Sequence, residues 1–105
     1  MSDLPLRVAL MQSAQRALLG AVHPQLRQIS IDADETKKLV SLRFEYDGKP
    51  QEDAQESCSC AATEVIASFS AAWDIFEEHI SVPVPLEPTP LRYIVYLRAE
   101  PKAGS

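Results

Sequence analysis

The sequence has few of the residues from which several kinds of functional site are built. It contains three glycines and two cysteines among 105 residues. So few glycines argue against a glycine-rich phosphate loop, and the chain has no Gly-x-Ser-x-Gly nucleophile motif. No apolar run approaches the roughly 20 residues that cross a membrane, and the start shows no basic stretch or cleavage signal of a secretory peptide. These absences predict a cytoplasmic protein with no cofactor and no membrane partner.

Positive charge is also scarce. Lys and Arg number 10 against 15 Asp and Glu, which leaves a net charge of −5. A nucleic-acid binder needs Lys and Arg to displace phosphate counterions, so the balance argues against nucleic acid as a partner. It favours a basic protein partner if there is one, although mild acidity also serves solubility alone. The length predicts one domain, spanning residues 1–105.

Hydrophobic periodicity predicts two helices and four strands. The helices show an apolar stripe at steps of three and four residues, and the strands show alternation. The predicted helices are 2–20 and 51–69, and the predicted strands are 25–33, 39–46, 75–84 and 91–99. The first two strands should form an antiparallel hairpin that ends at the turn sequence "DGKP".

The element order α-β-β-α-β-β indicates an α+β fold. The simplest packing is a four-stranded, mainly antiparallel sheet with both helices on one face and an open, polar second face. On the third strand, alternation predicts Phe76, Ile80 and Val82 inward and Glu77 and His79 outward. On the fourth strand it places Tyr93 inward, while Arg92, Tyr96 and Arg98 form an outward row.

The stretch "ESCSCAATEVIASF" holds both cysteines. Residues i and i+2 of a helix point about 200° apart around its axis, so Cys58 falls on the apolar stripe and Cys60 does not. A shared zinc ion or a redox pair is therefore disfavoured, and we expect Cys58 in the core and Cys60 partly exposed. His23, before a proline in a connector, is expected to be a loop side chain satisfied by the backbone.

Glu77 and His79 are the strongest candidates for catalysis. Alternate strand residues share a face, so the two side chains can form a general acid–base pair. No nucleophile is placed beside them by the sequence pattern, and a surface role is the preferred interpretation. We therefore predict that the chain is not an enzyme.

Acidic residues recur in clusters along the chain. Such clusters serve solubility and helix capping, but they can also mimic a phosphate backbone and steer association with a cationic partner. The outward row on the fourth strand adds Tyr96, because tyrosine is enriched at interface hot spots. The candidate partner-binding residues are Asp32, Asp34, Glu35, Glu52, Asp53, Glu56, Asp74, Glu77, Glu78 and Tyr96.

The stretches "RALLGAVHPQLRQISI", "CAATEVIASF", "FEEHI" and "PLEPTPLRYIVYLR" carry a resemblance that runs from about Arg16 to Arg98. The sequence resembles small acidic bacterial immunity proteins of contact-dependent growth inhibition and related polymorphic toxin systems. The resemblance implies a non-enzymatic protein that binds the C-terminal toxin domain of a large exported protein. Many such toxins are nucleases with basic substrate grooves, which an acidic inhibitor suits.

Three hypotheses follow. The first is an immunity protein that blocks a nuclease toxin, such as an RNase, at its active site or substrate surface. The second is a small adaptor or regulatory subunit, either a monomer or a homodimer, that acts through the open sheet face. The third is a small enzyme centred on Glu77 and His79.

Overall fold

The computed structural model describes residue 12 and residues 15–17, 23–67, 69 and 72–99. Within them the elements are β1 (Leu26–Asp34), β2 (Leu39–Tyr46), α1 (Glu52–Ala67), β3 (Asp74–Ser81) and β4 (Tyr93–Leu97). The first predicted helix, 2–20, falls largely outside the described residues. Those of its residues that are described are helical, and among them Ala17 packs against the core.

The β1–β2 hairpin forms as predicted, with Ile29 paired to Phe44 and Ile31 to Leu42. The carboxylate of Asp34 holds its turn, because Oδ1 accepts the backbone N–H groups of Thr36 at 2.9 Å and Lys37 at 3.0 Å. An acidic side chain that accepts local backbone donors stabilises a turn at the end of a strand.

The segment β2–α1–β3 forms a parallel unit. Gly48, at φ 92°, starts the turn out of β2, where a residue with a Cβ would be strained. Helix α1 then returns the chain to the start of β2, so that β3 pairs with β2 in parallel from Leu39 and Asp74 onward. The strand order is β3-β2-β1-β4, with β1 antiparallel to both neighbours. The α+β prediction is confirmed, with one parallel pair in a mainly antiparallel sheet.

One sheet face, which we call the helix face, packs against α1 and forms the core. Its central strands contribute the fully buried Ile29, Ile31, Val40, Leu42 and Phe44. Each such side chain contributes about 1.5–3 kcal/mol when it leaves water. The buried residues of α1 are all small or β-branched, which lets the helix lie close to the sheet; they are Ala54, Cys58, Ala61, Ala62 and Val65.

On the third strand, the directions predicted for Phe76, Glu77 and His79 are wrong, whereas Val82 is buried as predicted. Register pairs Leu42 with Glu77 and Phe44 with His79, so Glu77 and His79 share the helix face. Phe76 instead points to the second face and is 53% exposed. The polar pair is tolerated on the helix face because Tyr46 and Ser59 meet its hydrogen-bonding groups.

The direction predicted for Tyr96 is also wrong. Ile29 pairs with Tyr96 while Ser30 pairs with Ile94, so a bulge at Val95 interrupts the alternation. Tyr93 and Tyr96 both pack against the core cluster, and Leu97 turns outward. An outward row of Arg92, Tyr96 and Arg98 therefore does not form.

The sequence predicted an open second sheet face, but in the structure part of this face is covered. Strands β3 and β4 lie at opposite edges, and the proline-rich connection between them, residues 82–92, crosses this face. We call the connection the crossing loop and the face the loop face. Glu45 Oε2 accepts the N–H of Thr89 at 2.6 Å, and Ser30 Oγ accepts the N–H of Leu91 at 2.8 Å.

Two arginines of the sheet donate hydrogen bonds to backbone carbonyls of the same loop. The buried Arg27 donates from Nη1 to the carbonyls of Val82 at 2.6 Å and Leu86 at 2.7 Å. Arg43 donates to the carbonyl of Thr89. The polar residues of the loop face thus supply the hydrogen bonds that an irregular, proline-containing segment cannot make with a strand.

No helix among the described residues has the length and apolarity to span a membrane.

Glu45→Ala should lower the free energy of unfolding by about 1–3 kcal/mol, because it leaves one buried and one partly buried partner of the carboxylate unsatisfied. Those partners are the Thr89 N–H and the side-chain amide of Gln28. Urea denaturation measures the loss, and faster hydrogen exchange at Thr89 localises it. Glu87→Ala, on the exposed part of the same loop, is the control. Wild-type stability in Glu45→Ala would contradict the role given to this carboxylate.

Candidate functional site

The predicted partner-binding acids do not form one surface. Helix α1 has 16 residues and is therefore about 24 Å long. It starts near the end of β2 and returns to the start of β3, so Glu52, Asp53 and Glu56 lie at one end of the unit. Asp74 lies at the other end, beside the hairpin turn.

Near the hairpin turn, cross-strand pairs bring acids of three strands together. Asp34 pairs with Leu39, which pairs with Asp74; one row further in, Asp32 pairs with Ser41, which pairs with Phe76. Alternation puts all of these side chains on the loop face. Asp34, Asp74 and Phe76 are exposed, and Asp32 is half-buried. We call the group Asp32, Asp34, Ser41, Asp74 and Phe76 the acidic tip.

Basic residues also occur at the turn. Lys38 has φ 54° and its Nζ lies 5.5 Å from the ring centroid of Trp73. Trp73 in turn packs against the core, so this contact draws the ammonium group toward the helix face. The carboxylates of the acidic tip, on the opposite face, are left without that counter-charge.

The other acidic surface lies along the exposed side of α1. Asp53, Glu56 and Glu64 line an open groove of about 520 Å³ together with Cys60, and Arg16 borders it. Glu52, in the first turn, is exposed nearby, where a carboxylate also favours the positive end of the helix dipole.

Glu77 and His79 belong to a closed polar cluster between sheet and helix. His79 Nε2 lies 2.7 Å from Glu77 Oε2, and His79 Nδ1 lies 2.8 Å from the Tyr46 hydroxyl. Ser59 of α1 donates to the same Glu77 oxygen at 2.7 Å. The His79 ring stacks on Phe44 with centroids 5.1 Å apart. These contacts fix α1 on β3.

The cluster does not have the geometry of an activated serine. In a catalytic triad, the acid holds one imidazole nitrogen and the serine faces the other. Here Ser59 Oγ lies 3.5 Å from His79 Nε2, the nitrogen that already contacts Glu77, and Ser59 itself donates to the carboxylate. The opposite nitrogen is held by Tyr46. The serine hydroxyl therefore donates to the carboxylate and not to the imidazole, unlike the serine of a triad.

The electrostatics of the cluster follow from burial and hydrogen bonding. Burial opposes ionisation of Glu77, but hydrogen bonds from Ser59 and His79 outweigh it and hold the pKa of Glu77 below its usual value. Burial raises the pKa of the Tyr46 hydroxyl and of the Cys58 thiol. Tyr46 and Cys58 are thus held neutral, and Glu77 carries the charge.

The remaining candidates have structural partners of their own. Glu78 lies on the loop face and accepts a hydrogen bond from Arg43 Nε at 3.0 Å. Tyr96 packs against the core. Glu35 is exposed on the hairpin turn. The acids that remain most available to a partner are those of the acidic tip and of α1.

The environments predicted for Cys58, Cys60 and His23 are confirmed. Cys58 is buried and Cys60 exposed, and both are free thiols. His23 Nδ1 accepts the N–H of Gln25 at 3.1 Å, which makes it a satisfied loop side chain. Among the described residues, no group of three or more His, Cys, Asp or Glu is arranged to hold a metal ion.

Sequence reasoning missed Phe76 as a surface residue. Its apolar character assigned it to the core, and only the parallel register with β2 turns it outward. A signal was present in the alternation itself, since Ile75 and Phe76 have opposite parity and only one of them can face the helix. The loop-anchoring residues Arg27, Ser30 and Glu45 were missed because the path of the crossing loop depends on strand order.

Comparison with protein families now gives the class of protein. The model of the MafI2 immunity protein family matches residues 7–100. The chain therefore belongs to the MafI2 immunity protein family. No curated protein matches the chain. Membership confirms the expectation of an immunity protein from a polymorphic toxin system, and it implies toxin neutralisation with a cognate toxin as partner.

Glu77→Gln should destabilise the protein more at pH 7 than at pH 3.5. The folded-state pKa of Glu77 is lowered, so its ionised form contributes stability that is present above the unfolded pKa, about 4.3, and is lost as pH falls through the folded pKa. Urea unfolding at both pH values measures the difference. Glu35→Gln, on the exposed turn, controls for loss of one carboxylate. A deficit that is equal at both pH values would argue against an ionised Glu77 in the folded cluster.

Proposed function

We propose that the chain neutralises a nuclease toxin domain by binding it through an acidic surface and covering its substrate groove. The observation that carries the proposal is the match to an immunity protein family over residues 7–100. The toxin would be the C-terminal domain of a large protein exported by a contact-dependent growth inhibition or related system. Binding would take place in the cytoplasm and would need no cofactor and no catalysis by this chain.

Charge supports the choice of a nuclease. The chain has a net charge of −5, and a nuclease must present a basic groove to the phosphates of its substrate. Exposed carboxylates that approach this groove occupy the positions of phosphates. They also steer the encounter, which raises the association rate at low salt.

The structure limits which acids can contact the toxin domain. Glu77 contacts Ser59 and His79, and Glu78 contacts Arg43, so neither carboxylate is free to serve as the principal contact of a partner. The proposed contact acids are therefore the remaining exposed or half-exposed ones: Asp32, Asp34, Glu35, Glu52, Asp53, Glu56 and Asp74.

The alternative of an adaptor that acts through an open sheet face loses support. The crossing loop covers the part of that face around Ser30 and Glu45. A stable homodimer in solution with no toxin partner would restore this alternative.

The toxin partner can be identified with a tagged copy of the protein in its native cells. The captured protein is assigned by mass spectrometry, and its toxin domain is then produced separately. Expression of that domain should stop growth, and co-expression of this chain should restore it. Growth arrest that persists despite a stably folded immunity protein would contradict neutralisation of that toxin.

Salt should weaken the complex mainly through association. Between 50 and 500 mM salt we expect the association rate with the purified toxin domain to fall on the order of tenfold or more, because screening removes electrostatic steering. Stopped-flow fluorescence measures the rate, and calorimetry at both salt concentrations measures the affinity. An association rate that is independent of salt would rule out the acidic-surface mechanism but not the neutralisation itself.

A further inference from the structure

The crossing loop leaves part of the loop face uncovered. It forms hydrogen bonds with Ser30, Arg43 and Glu45, which lie in the two rows of the loop face furthest from the hairpin turn. The two rows nearest the turn carry the acidic tip. In these rows the sheet is three strands wide, since β4 pairs with β1 only from Gln28 to Ile31.

Phe76 is the aromatic residue of this uncovered area and lies at its β3 edge. Its side chain is 53% exposed on an edge strand, next to Ser41. Ser41 is small and half-buried, so it leaves room beside the ring for a partner side chain. An aromatic side chain held by a rigid strand gives a large apolar contact at little cost in conformational entropy, which is typical of an interface anchor.

Carboxylates border the ring on two sides. Asp74 lies two residues before Phe76 on the same strand, which puts their Cα atoms about 7 Å apart. Asp32 lies two strands away, which puts its Cα atom about 10 Å from that of Phe76. Asp34 completes the border at the turn, where its backbone contacts fix the carboxylate in place. Leu39, between Asp34 and Asp74 in the row nearest the turn, is half-buried, so Phe76 is the exposed apolar side chain of these two rows. An exposed aromatic side chain bordered by carboxylates matches a basic surface that contains one apolar pocket.

We infer that the acidic tip is the surface that docks on the toxin domain, with Phe76 inserted in an apolar pocket of the basic substrate groove. The inference rests on the proposed function and adds the location and the anchor to it. Asp32 and Asp74 contact Lys or Arg side chains at the rim of that pocket. The toxin domain is the occupant because this chain belongs to a family that binds one, and because the rim charge is opposite to that of a nuclease groove.

The acidic side of α1 is a weaker candidate for the same role. Its groove combines Asp53, Glu56 and Glu64 with the opposite charge of Arg16. The described residues that line it include no aromatic and no large aliphatic side chain that could serve as an anchor. Charge alone gives steering and little residence time.

The anchor is tested with Phe76→Ala against a matched control. Leu86 is also exposed, at 58%, and lies on the crossing loop outside the acidic tip. With the purified toxin domain, Phe76→Ala should weaken binding roughly 30-fold or more, mainly through faster dissociation, whereas Leu86→Ala should stay within about threefold of wild type. Circular dichroism and the melting temperature show whether both variants keep the fold.

The rim is tested with charge reversals of equal size, one on β3 in the acidic tip and one on α1. Asp74→Lys and Glu56→Lys change the net charge by the same amount, so steering by net charge alone would slow both equally. The inference expects Asp74→Lys to weaken binding at least tenfold more than Glu56→Lys, and to lose the rescue of growth in cells that express the toxin domain.

The outcomes separate this inference from the proposed function. Tight binding by wild type together with unchanged binding by Phe76→Ala and Asp74→Lys would overturn the acidic tip as docking surface while leaving neutralisation intact. A larger loss in Glu56→Lys would assign docking to α1 instead. A dimer of this chain that Phe76→Ala dissociates, without any loss of toxin binding, would assign the surface to a second copy and overturn the inference.

Discussion

The placement of β3 and β4 at opposite edges of the sheet is the constraint on which the rest of the structure depends. A chain that leaves one edge and returns at the other has to cross a face, and α1 already occupies the helix face. The crossing loop contains prolines and has no strand partner, so its backbone groups need other donors and acceptors. The buried polar residues Arg27, Ser30 and Glu45 supply them, which explains why a sheet this small has charged groups in its interior.

The same constraint divides the two faces unequally. The helix face is closed along its length by apolar packing, and where β3 brings Glu77 and His79 under α1 the polar groups are matched by Ser59 and Tyr46. The loop face is closed only where the loop crosses. The described residues of this face near the hairpin turn are three acids and Phe76, with the half-buried Leu39 and Ser41 between them. Exposure at this place is thus a consequence of topology as well as of residue type.

Local patterns predicted the elements well and the side-chain directions at the edges poorly. The β1–β2 hairpin follows from strict alternation and from turn chemistry, and the buried stripe of α1, including Cys58, follows from helical periodicity. The errors at Phe76 and Tyr96 have non-local causes. Phe76 is directed by parallel pairing with β2, and Tyr96 by a bulge against β1. The charge of the candidate contact acids predicted that most of them are exposed. The partners of Glu77 and Glu78 lie on other elements, so local patterns did not predict them.

Strand β3 departs from the usual pattern in an informative way. A strand at the edge of a core normally turns its aromatic residue inward and its charged residues outward, and a sequence that specifies one fold keeps such rules consistent. Here Glu77 and His79 lie on the helix face and Phe76 lies on the loop face, where about half of its surface stays exposed. Hydrogen bonds with Ser59 and Tyr46 compensate for the burial of Glu77 and His79. The outward direction of Phe76 follows from its register with Ser41, and it leaves half of the side chain available to a partner. For a member of an immunity protein family, the partner that we infer for this surface is the toxin domain.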